Sequence, residues 1–353
     1  MTLRLLALSG DGIGPEIMDA TLDVLHAACA ATGTPVQVDA AEIGFAALRA
    51  RGTTIPDDVI ARARACDGVI LGPVSHNAYP PISEGGLNPS GVLRKRLELF
   101  ANIRPARSHP AVPTPTGHAV DMVVVRENLE GFYADRNMES GPAEFMPVPG
   151  VALSMRRITT ANSRAIAEAG YALARRRGGA RVAVIHKANV LRLSDGVFLD
   201  AVRDVARAYP DCETEELLID AAAALFVRDP TRFDVVIATN MYGDILSDLA
   251  SELAGGLGLA ASLNHGHDHA VAQAQHGSAP DLAGQGVANP GSLVGSVAML
   301  LDHLGHGDAS ALITSALGAA LADPATRTAD LGGTASTRIM TQAITTHIQR
   351  EAE

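Results

Sequence analysis

Asp244 and Asp248 stand four residues apart after the apolar run at residues 233–239, and a helix starting near Asp244 stacks both carboxylates on one face. Like charges at that spacing repel by about a few tenths of a kcal/mol unless a cation sits between them. Hard oxygen ligands of this kind suit Mg2+ or Mn2+. The plainer alternative is one acid favouring a helix N-terminus beside a second that is merely solvated. Asp220, after Leu217-Leu-Ile219, adds a further candidate oxygen donor. Opposite charge is offered by Arg94, Arg104 and Arg126. Taken singly, arginines are usually surface residues, but Arg126 closes the apolar strand at residues 122–125, and parallel sheets place ligands at such strand ends. Guanidinium forks bind carboxylates bidentately, so convergence of the three suits a di- or tricarboxylate. Lys187 also falls at a strand end, after residues 181–185. It reads either as a salt-bridged lysine or as a base whose pKa is depressed among other cations.

The elements that must carry these groups follow from hydrophobic pattern and turn chemistry. Residues 3–8 form a strand, the turn Gly10-Asp-Gly-Ile-Gly-Pro15 follows, and a helix runs on to about Ala30 with Pro15 in its first turn. This resembles a dinucleotide fingerprint with Asp39 as the ribose-binding acid, but Pro15 stands where glycine or alanine is required. Strand 67–71 leads into a Pro- and Gly-rich loop, then a helix over about 91–100 that Ser90 is expected to cap. Prolines and glycines across 134–152 suit a protruding arm. Helices are expected near 160–177, 195–208, 292–304 and 336–350. Asn240 to Gly243 read as a turn. The run Asn264-His-Gly-His-Asp-His269 reads as a polar loop more than a zinc site, because helical ligand spacing is lacking. Residues 276–290 are dense in small side chains, which lets backbone amides approach a ligand closely.

Totals bound the rest. A chain of 353 residues exceeds one core, so two domains are expected. A net charge of −11, no Trp and 3% aromatic residues argue against nucleic acid, and no apolar run reaches membrane-spanning length. Cys29, Cys66 and Cys212 are isolated, which fits a reducing compartment, so a cytoplasmic protein is expected.

Together these residues resemble the β-decarboxylating dehydrogenases, the family of isocitrate, homoisocitrate, isopropylmalate, tartrate and D-malate dehydrogenases. The resemblance rests on Gly10-Asp-Gly-Ile-Gly-Pro-Glu-Ile17, Leu93-Arg94 with Ala101-Asn-Ile-Arg-Pro105, Val125-Arg-Glu-Asn-Leu-Glu-Gly-Phe-Tyr133, His186-Lys-Ala-Asn-Val190, Gly243-Asp-Ile-Leu-Ser-Asp248, and His276-Gly-Ser-Ala-Pro-Asp281 with Ala288-Asn-Pro290. It implies a two-domain α/β fold of the isocitrate/isopropylmalate dehydrogenase type, not a Rossmann fold. Residues 1–101 plus 255–353 would form the cofactor-binding domain, and 102–254 the central domain with the dimer interface, the arm and the metal-binding aspartates. It further implies a homodimer with shared active sites. Arg94, Arg104 and Arg126, with Ser90 and Asn189, would bind the hydroxy acid. Asp244 and Asp248 would hold Mg2+ or Mn2+ with Asp220 of the other subunit, Lys187 of the other subunit would serve the hydroxyl proton, and Tyr133 would protonate the carbanion. Ile13, His276, Gly277, Ser278, Ala279, Asp281 and Asn289 would bind the dinucleotide. An aspartate at position 281 implies NAD, since a 2′-phosphate beside a carboxylate is repelled.

Substrate choice is less constrained. The tail Arg126-Glu-Asn-Leu-Glu-Gly131 is similar to the isocitrate, homoisocitrate and tartrate branches. Ser90 and Gly91 offer no leucine-lined isopropyl pocket, and Asn88 and Ser90 reverse the serine-then-asparagine order of isocitrate enzymes. Oxidative decarboxylation of a 3-substituted malate of the isocitrate, homoisocitrate or isopropylmalate type, held in a small polar substituent pocket, is the expectation, with a tartrate- or D-malate-type enzyme as the alternative. A catalytically silent regulatory paralogue is disfavoured, because it has no need of Tyr133, Lys187 and all the aspartates together. Gln273 departs from the acidic residue that relatives usually carry three positions before His276.

Overall fold

A computed structural model describes residues 2–133, 143–178 and 181–352. The chain divides into two compact units: Met1–Leu97, His109–Pro113 and Gly255–Glu353 form the first, and Glu98–Ser108 with Thr114–Ala254 the second. The first unit opens with β1 (Leu3–Leu8), α1 (Gly14–Ala31), β2 (Val36–Ala40), α2 (Gly44–Arg51), α3 (Asp57–Ala65), β3 (Gly68–Leu71) and α4 (Pro89–Arg96). The second contains β4 (Ala101–Arg107), β5 (Asp121–Glu127), β6 (Glu144–Val148), β7 (Val151–Ser154), α5 (Thr160–Arg176), β8 (Val182–His186), α6 (Ser194–Ala206), β9 (Thr214–Leu218), α7 (Ile219–Arg228), β10 (Val235–Ala238) and α8 (Asn240–Ala254). The chain then returns to the first unit with β11 (Leu263–His265), β12 (Ala270–Gln273), α9 (Gly291–His303), α10 (Gly307–Ala322) and α11 (Thr337–Ala352).

The strands of the first unit run in the order β2-β1-β3-β12-β11, parallel except for the β11–β12 hairpin. With β1 between β2 and β3, this is not the Rossmann dinucleotide order. Asp39 lies exposed on edge strand β2, where its carboxylate accepts from Gln37. The core of this unit is built by β1, α1, α9, α10 and α11 around Leu5, Ile17, Leu25, Leu293, Leu301, Ile313 and Ile344.

In the second unit the order is β4-β5-β10-β8-β9, with β4 antiparallel to β5 and the remaining pairs parallel. Strands β5, β10 and β8 are buried on both faces, so their apolar residues run without alternation, as a covered parallel sheet requires. Val123, Val125, Val184, Val235 and Ile237 face one helical layer with Ile166, Tyr171 and Phe198. Met122, Val124, Ile185, Val236 and Ala238 face the other, with Phe226, Leu246 and Ala250. The period of two thus assigns each residue of a strand to one of two cores.

Two expected element starts are corrected. Asn240 to Gly243 form the first turn of α8 and not a separate turn, with the Gly243 N–H bonded to the Thr239 carbonyl at 2.8 Å. Helix α4 is capped by Asn88, whose side chain accepts from the Gly91 N–H, and Ser90 is already helical behind Pro89. Part of the expected arm, residues 134–142, lies outside the described residues. The remainder is the β6–β7 hairpin, on which Phe145, Met146, Val148, Val151 and Leu153 are exposed. Among the described residues, no helix is long and apolar enough to cross a membrane.

Candidate active site

In the second unit, neighbouring strand ends place the charged groups. Arg126 is the penultimate residue of β5, and its cross-strand partner on β4 is Asn102, two residues before Arg104. Beyond β10, α8 presents Asn240, Asp244, Ser247 and Asp248. The helix approaches β5 so closely that a Cβ on Gly243 would lie 2.7 Å from the Arg126 side chain, which is why glycine stands there. The Arg126 fork donates to the Asn240 side-chain Oδ1 through Nε at 3.1 Å and Nη2 at 2.7 Å, and its Nη1 donates to Asp244 Oδ1. Arg104 Nη1 donates to Ser247 Oγ at 2.7 Å and reaches Asp244 Oδ1 at 3.2 Å and Asp248 Oδ1 at 3.3 Å. Asn102 Oδ1 holds Arg104 Nε at 2.5 Å. The Tyr133 hydroxyl donates to Asp244 Oδ2 at 3.3 Å, and its ring lies 5.9 Å from the Arg126 guanidinium.

Burial is asymmetric within this cluster. The arginine side chains are 7% and 3% exposed, whereas those of Asp244 and Asp248 are 35% and 54% exposed. Two sheltered cations therefore sit behind two carboxylates that open outward. Burial, then the like charge of Arg126, pushes the Arg104 pKa down to about 10 against the pull of Asp244 and Asp248. At neutral pH the guanidinium remains charged. Such an arrangement can bind an anion on the arginines and a hard cation on the carboxylates.

Lys187 follows β8 directly, and its Nζ bonds Asp220 Oδ1 at 2.5 Å. That hydrogen bond holds the Asp220 carboxyl below the usual range. Asp220 lies in the first turn of α7. Among the described residues no three His, Cys, Asp or Glu side chains of this one chain converge as a metal site, so Asp220 is not brought to Asp244 and Asp248 within the protomer. Asn189 is exposed on the turn after β8.

In the first unit, Arg94 and Ser90 on α4 both donate to Gln273 Oε1, at 3.3 and 3.1 Å, and Asn264 Nδ2 reaches the same oxygen at 3.2 Å. Gln273 thus fixes Arg94 without neutralising it. The glycine turn packs on the segment at 276–290: the Ile13 N–H bonds the Ser278 carbonyl at 2.9 Å, and a Cβ on Gly12, at φ +58°, would strike that same oxygen. Asp11 ties the turn down, accepting from the Phe45 and Ser75 amides and the Tyr79 hydroxyl, while Ser75 Oγ meets Ser278 Oγ at 2.7 Å. Ala279 adopts φ +36°, a strained setting for a residue with a Cβ. Gly277 and Asp281 are exposed. His276 Nδ1 lies 2.9 Å from the Gly277 carbonyl, and burial lowers the pKa of its imidazole, which favours the neutral ring. The Asn289 amide is engaged by Asp330 and the Gly291 N–H.

Sequence reasoning missed several supports of these groups. Asn102, Asn240 and Ser247 hold the arginines, and Glu16 accepts from the Gly286 and Ala288 amides and the Thr337 hydroxyl, bracing the small-residue segment. Only Glu16 carried a signal, as the acid in the first turn of α1.

A family model described as isocitrate/isopropylmalate dehydrogenase matches residues 4–348. The chain is 39% identical over 345 residues to the isocitrate/homoisocitrate dehydrogenase of Thermus thermophilus, covering 98% of each chain. It is 35% identical over 348 residues to the 3-isopropylmalate dehydrogenase of Methanothermobacter thermautotrophicus, covering 99% of each. A crystal structure of isocitrate dehydrogenase from Methylococcus capsulatus superposes with a TM-score of 0.89 at 38% identity, covering 98% of this chain and 99% of that one. Relatives named as NAD-linked and as NADP-linked isocitrate dehydrogenases both match.

Proposed function

The chain belongs to the isocitrate/isopropylmalate dehydrogenase family and is a β-decarboxylating dehydrogenase of hydroxy acids, and from that premise we propose that it oxidatively decarboxylates a 3-substituted malate with NAD and Mg2+ or Mn2+. The supporting observation is the pair of buried guanidiniums, Arg104 and Arg126, behind the outward-facing carboxylates of Asp244 and Asp248. Those carboxylates fit a hard divalent cation: they are oxygen donors, open to solvent, and one helical turn apart. When bound, the cation supplies Lewis-acid polarisation at the hydroxyl-bearing carbon, and NAD supplies the hydride acceptor.

The chain's own side chains do the rest. Arg104 and Arg126 exchange their carboxylate partners for those of the substrate, so the acid enters a site whose positive charge is already desolvated and aimed. Arg94 is assigned to the same hydroxy acid by family resemblance. Lys187, beside Asp220, takes the hydroxyl proton; the C–C bond to the departing carboxylate then breaks, and the Tyr133 hydroxyl returns a proton to carbon. Lys187 and Asp220 are assigned to the neighbouring protomer's site. The apolar side chains exposed on β6 and β7 favour a homodimer that covers them. NAD is preferred over NADP because the exposed Asp281 carboxylate would repel a 2′-phosphate. A small polar substituent pocket, for a malate of the isocitrate, homoisocitrate or isopropylmalate type, is supported by the polar surroundings of Ser90, which donates to the Gln273 oxygen that Asn264 also reaches.

The test is a panel of malate, tartrate, isocitrate, homoisocitrate and isopropylmalate, with NADH and CO2 both measured. Equimolar NADH and CO2 from one 3-substituted malate is expected. NADH without CO2, or no turnover on any member, would contradict the proposal.

A further inference from the structure

The second unit buries an ion pair that this chemistry leaves unused. Arg156 and Asp195 bond through Nη1 and Oδ1 with side chains 8% and 0% exposed. A pair so deeply desolvated is costly to keep, and its contacts indicate a purpose. Asp195, near the start of α6, turns its other oxygen to the Lys187 backbone N–H and so clamps the turn after β8. Arg156 lies two residues past the end of β7 and also donates to Ser194 Oγ at 2.8 Å and Thr239 Oγ1 at 3.1 Å. Its guanidinium lies 5.4 Å from the Tyr242 ring and 6.0 Å from the Phe132 ring. Thr239 immediately precedes α8, Tyr242 stands two residues before Asp244, and Phe132 adjoins Tyr133.

We infer that the buried Arg156–Asp195 pair is a positioning element that sets the Lys187 turn, the first turn of α8 and the Tyr133 segment in one geometry. The inference rests on the roles proposed for Lys187, Asp244 and Tyr133. With Lys187 serving the neighbouring protomer's site and the other two their own, the pair joins groups that belong to different sites. A displacement here moves reacting groups at both.

Asp195→Asn leaves one oxygen for two donors and turns an amide toward the second. The kcat should fall about 30- to 100-fold, the cost of a misplacement near 1 Å, while KM for hydroxy acid and dinucleotide changes less than about threefold. Joint substitution Arg156→Met with Asp195→Asn removes both charges, so Tm should return close to the wild-type value while kcat stays low. Recovery of kcat together with Tm would mark a merely structural pair and overturn the inference. Arg156→Lys covers the case in which those variants do not fold: it keeps the charge and loses the fork, and kcat should fall about tenfold at near-native Tm. An unchanged kcat overturns the inference here too. Lys187→Met separates this from the reading beneath it. If Lys187→Met turns over at the wild-type rate, the role of Lys187 itself fails; if it is inactive while Asp195→Asn keeps full kcat, only the positioning inference fails.

Discussion

Arg126 combines a fixed scaffold with its proposed role as an anion-binding group. Its Nε and one Nη bind a buried amide oxygen, which fixes the fork, and the remaining Nη faces Asp244. Arg126→Met should therefore reduce kcat/KM by about a hundredfold or more, since a charge-assisted contact and the aim of Asp244 are lost together. Steady-state kinetics with saturating cation checks this, and a loss under fivefold would contradict it. Glu127, the next residue, is 2% exposed, and burial followed by the nearby charge of Glu130 pushes its pKa up to about 7. A folded-state pKa above the unfolded value means that the native form binds the extra proton. Its stabilising contribution is full below about pH 4.5 and is lost as pH rises toward 7, on the order of 3 kcal/mol in all. Glu127→Gln should flatten the fall in unfolding free energy across that window, measured by urea denaturation at several pH values. An unchanged slope would show that Glu127 does not titrate there.

Helix α8 carries both carboxylates of the proposed cation site, and its placement depends on an absent side chain. Gly243→Ala puts a methyl group 2.7 Å from Arg126 Cβ and Cγ, so helix and strand must separate. Overpacking of this kind costs about 1–3 kcal/mol and should lower kcat while the fold persists. Thermal unfolding and kinetics on one preparation check it, and native Tm with native kcat would contradict the packing argument. The same turn shows where the sequence was opaque. Asn240 to Gly243 carry turn residues, yet they begin α8, where the Asn240 side-chain oxygen Oδ1 is held by Arg126, 114 positions away. No local pattern reveals a partner that distant. Helix α10 escaped notice for a different reason: in a run of Ala, Gly, Leu and Ser, small residues blur the contrast between its two faces. Strand-end charges were legible, because Arg126 and Lys187 end apolar runs that can only be buried strands. The Asn88 cap was masked by Ser90, an equally good capping residue two positions on.

At the scale of the molecule, the two units hold different groups: one holds Arg94 and the glycine turn against residues 276–290, and the other holds Arg104, Arg126, the aspartates, Lys187 and Tyr133. A single chain pairs Lys187 with Asp220 and leaves both outside the Asp244–Asp248 cluster, which is why turnover is proposed to need a second copy. Substituting Met146 and Val148, 63% and 55% exposed on the β6–β7 hairpin, by Lys should shift the protein toward monomer and reduce activity in proportion. Light scattering coupled to size exclusion, with activity across the peak, checks this; an active monomer would contradict shared sites. The central claim is that the α8 carboxylates hold the cation on which oxidation depends, and Mn2+ titration of EDTA-treated enzyme, followed by NADH formation and by calorimetry, tests it most directly. Activity should vanish with EDTA, return in proportion to bound Mn2+, and require more than about tenfold higher Mn2+ in Asp244→Asn and Asp248→Asn. Turnover that survives complete removal of divalent metal, or Mn2+ affinity untouched by both substitutions, would contradict the account.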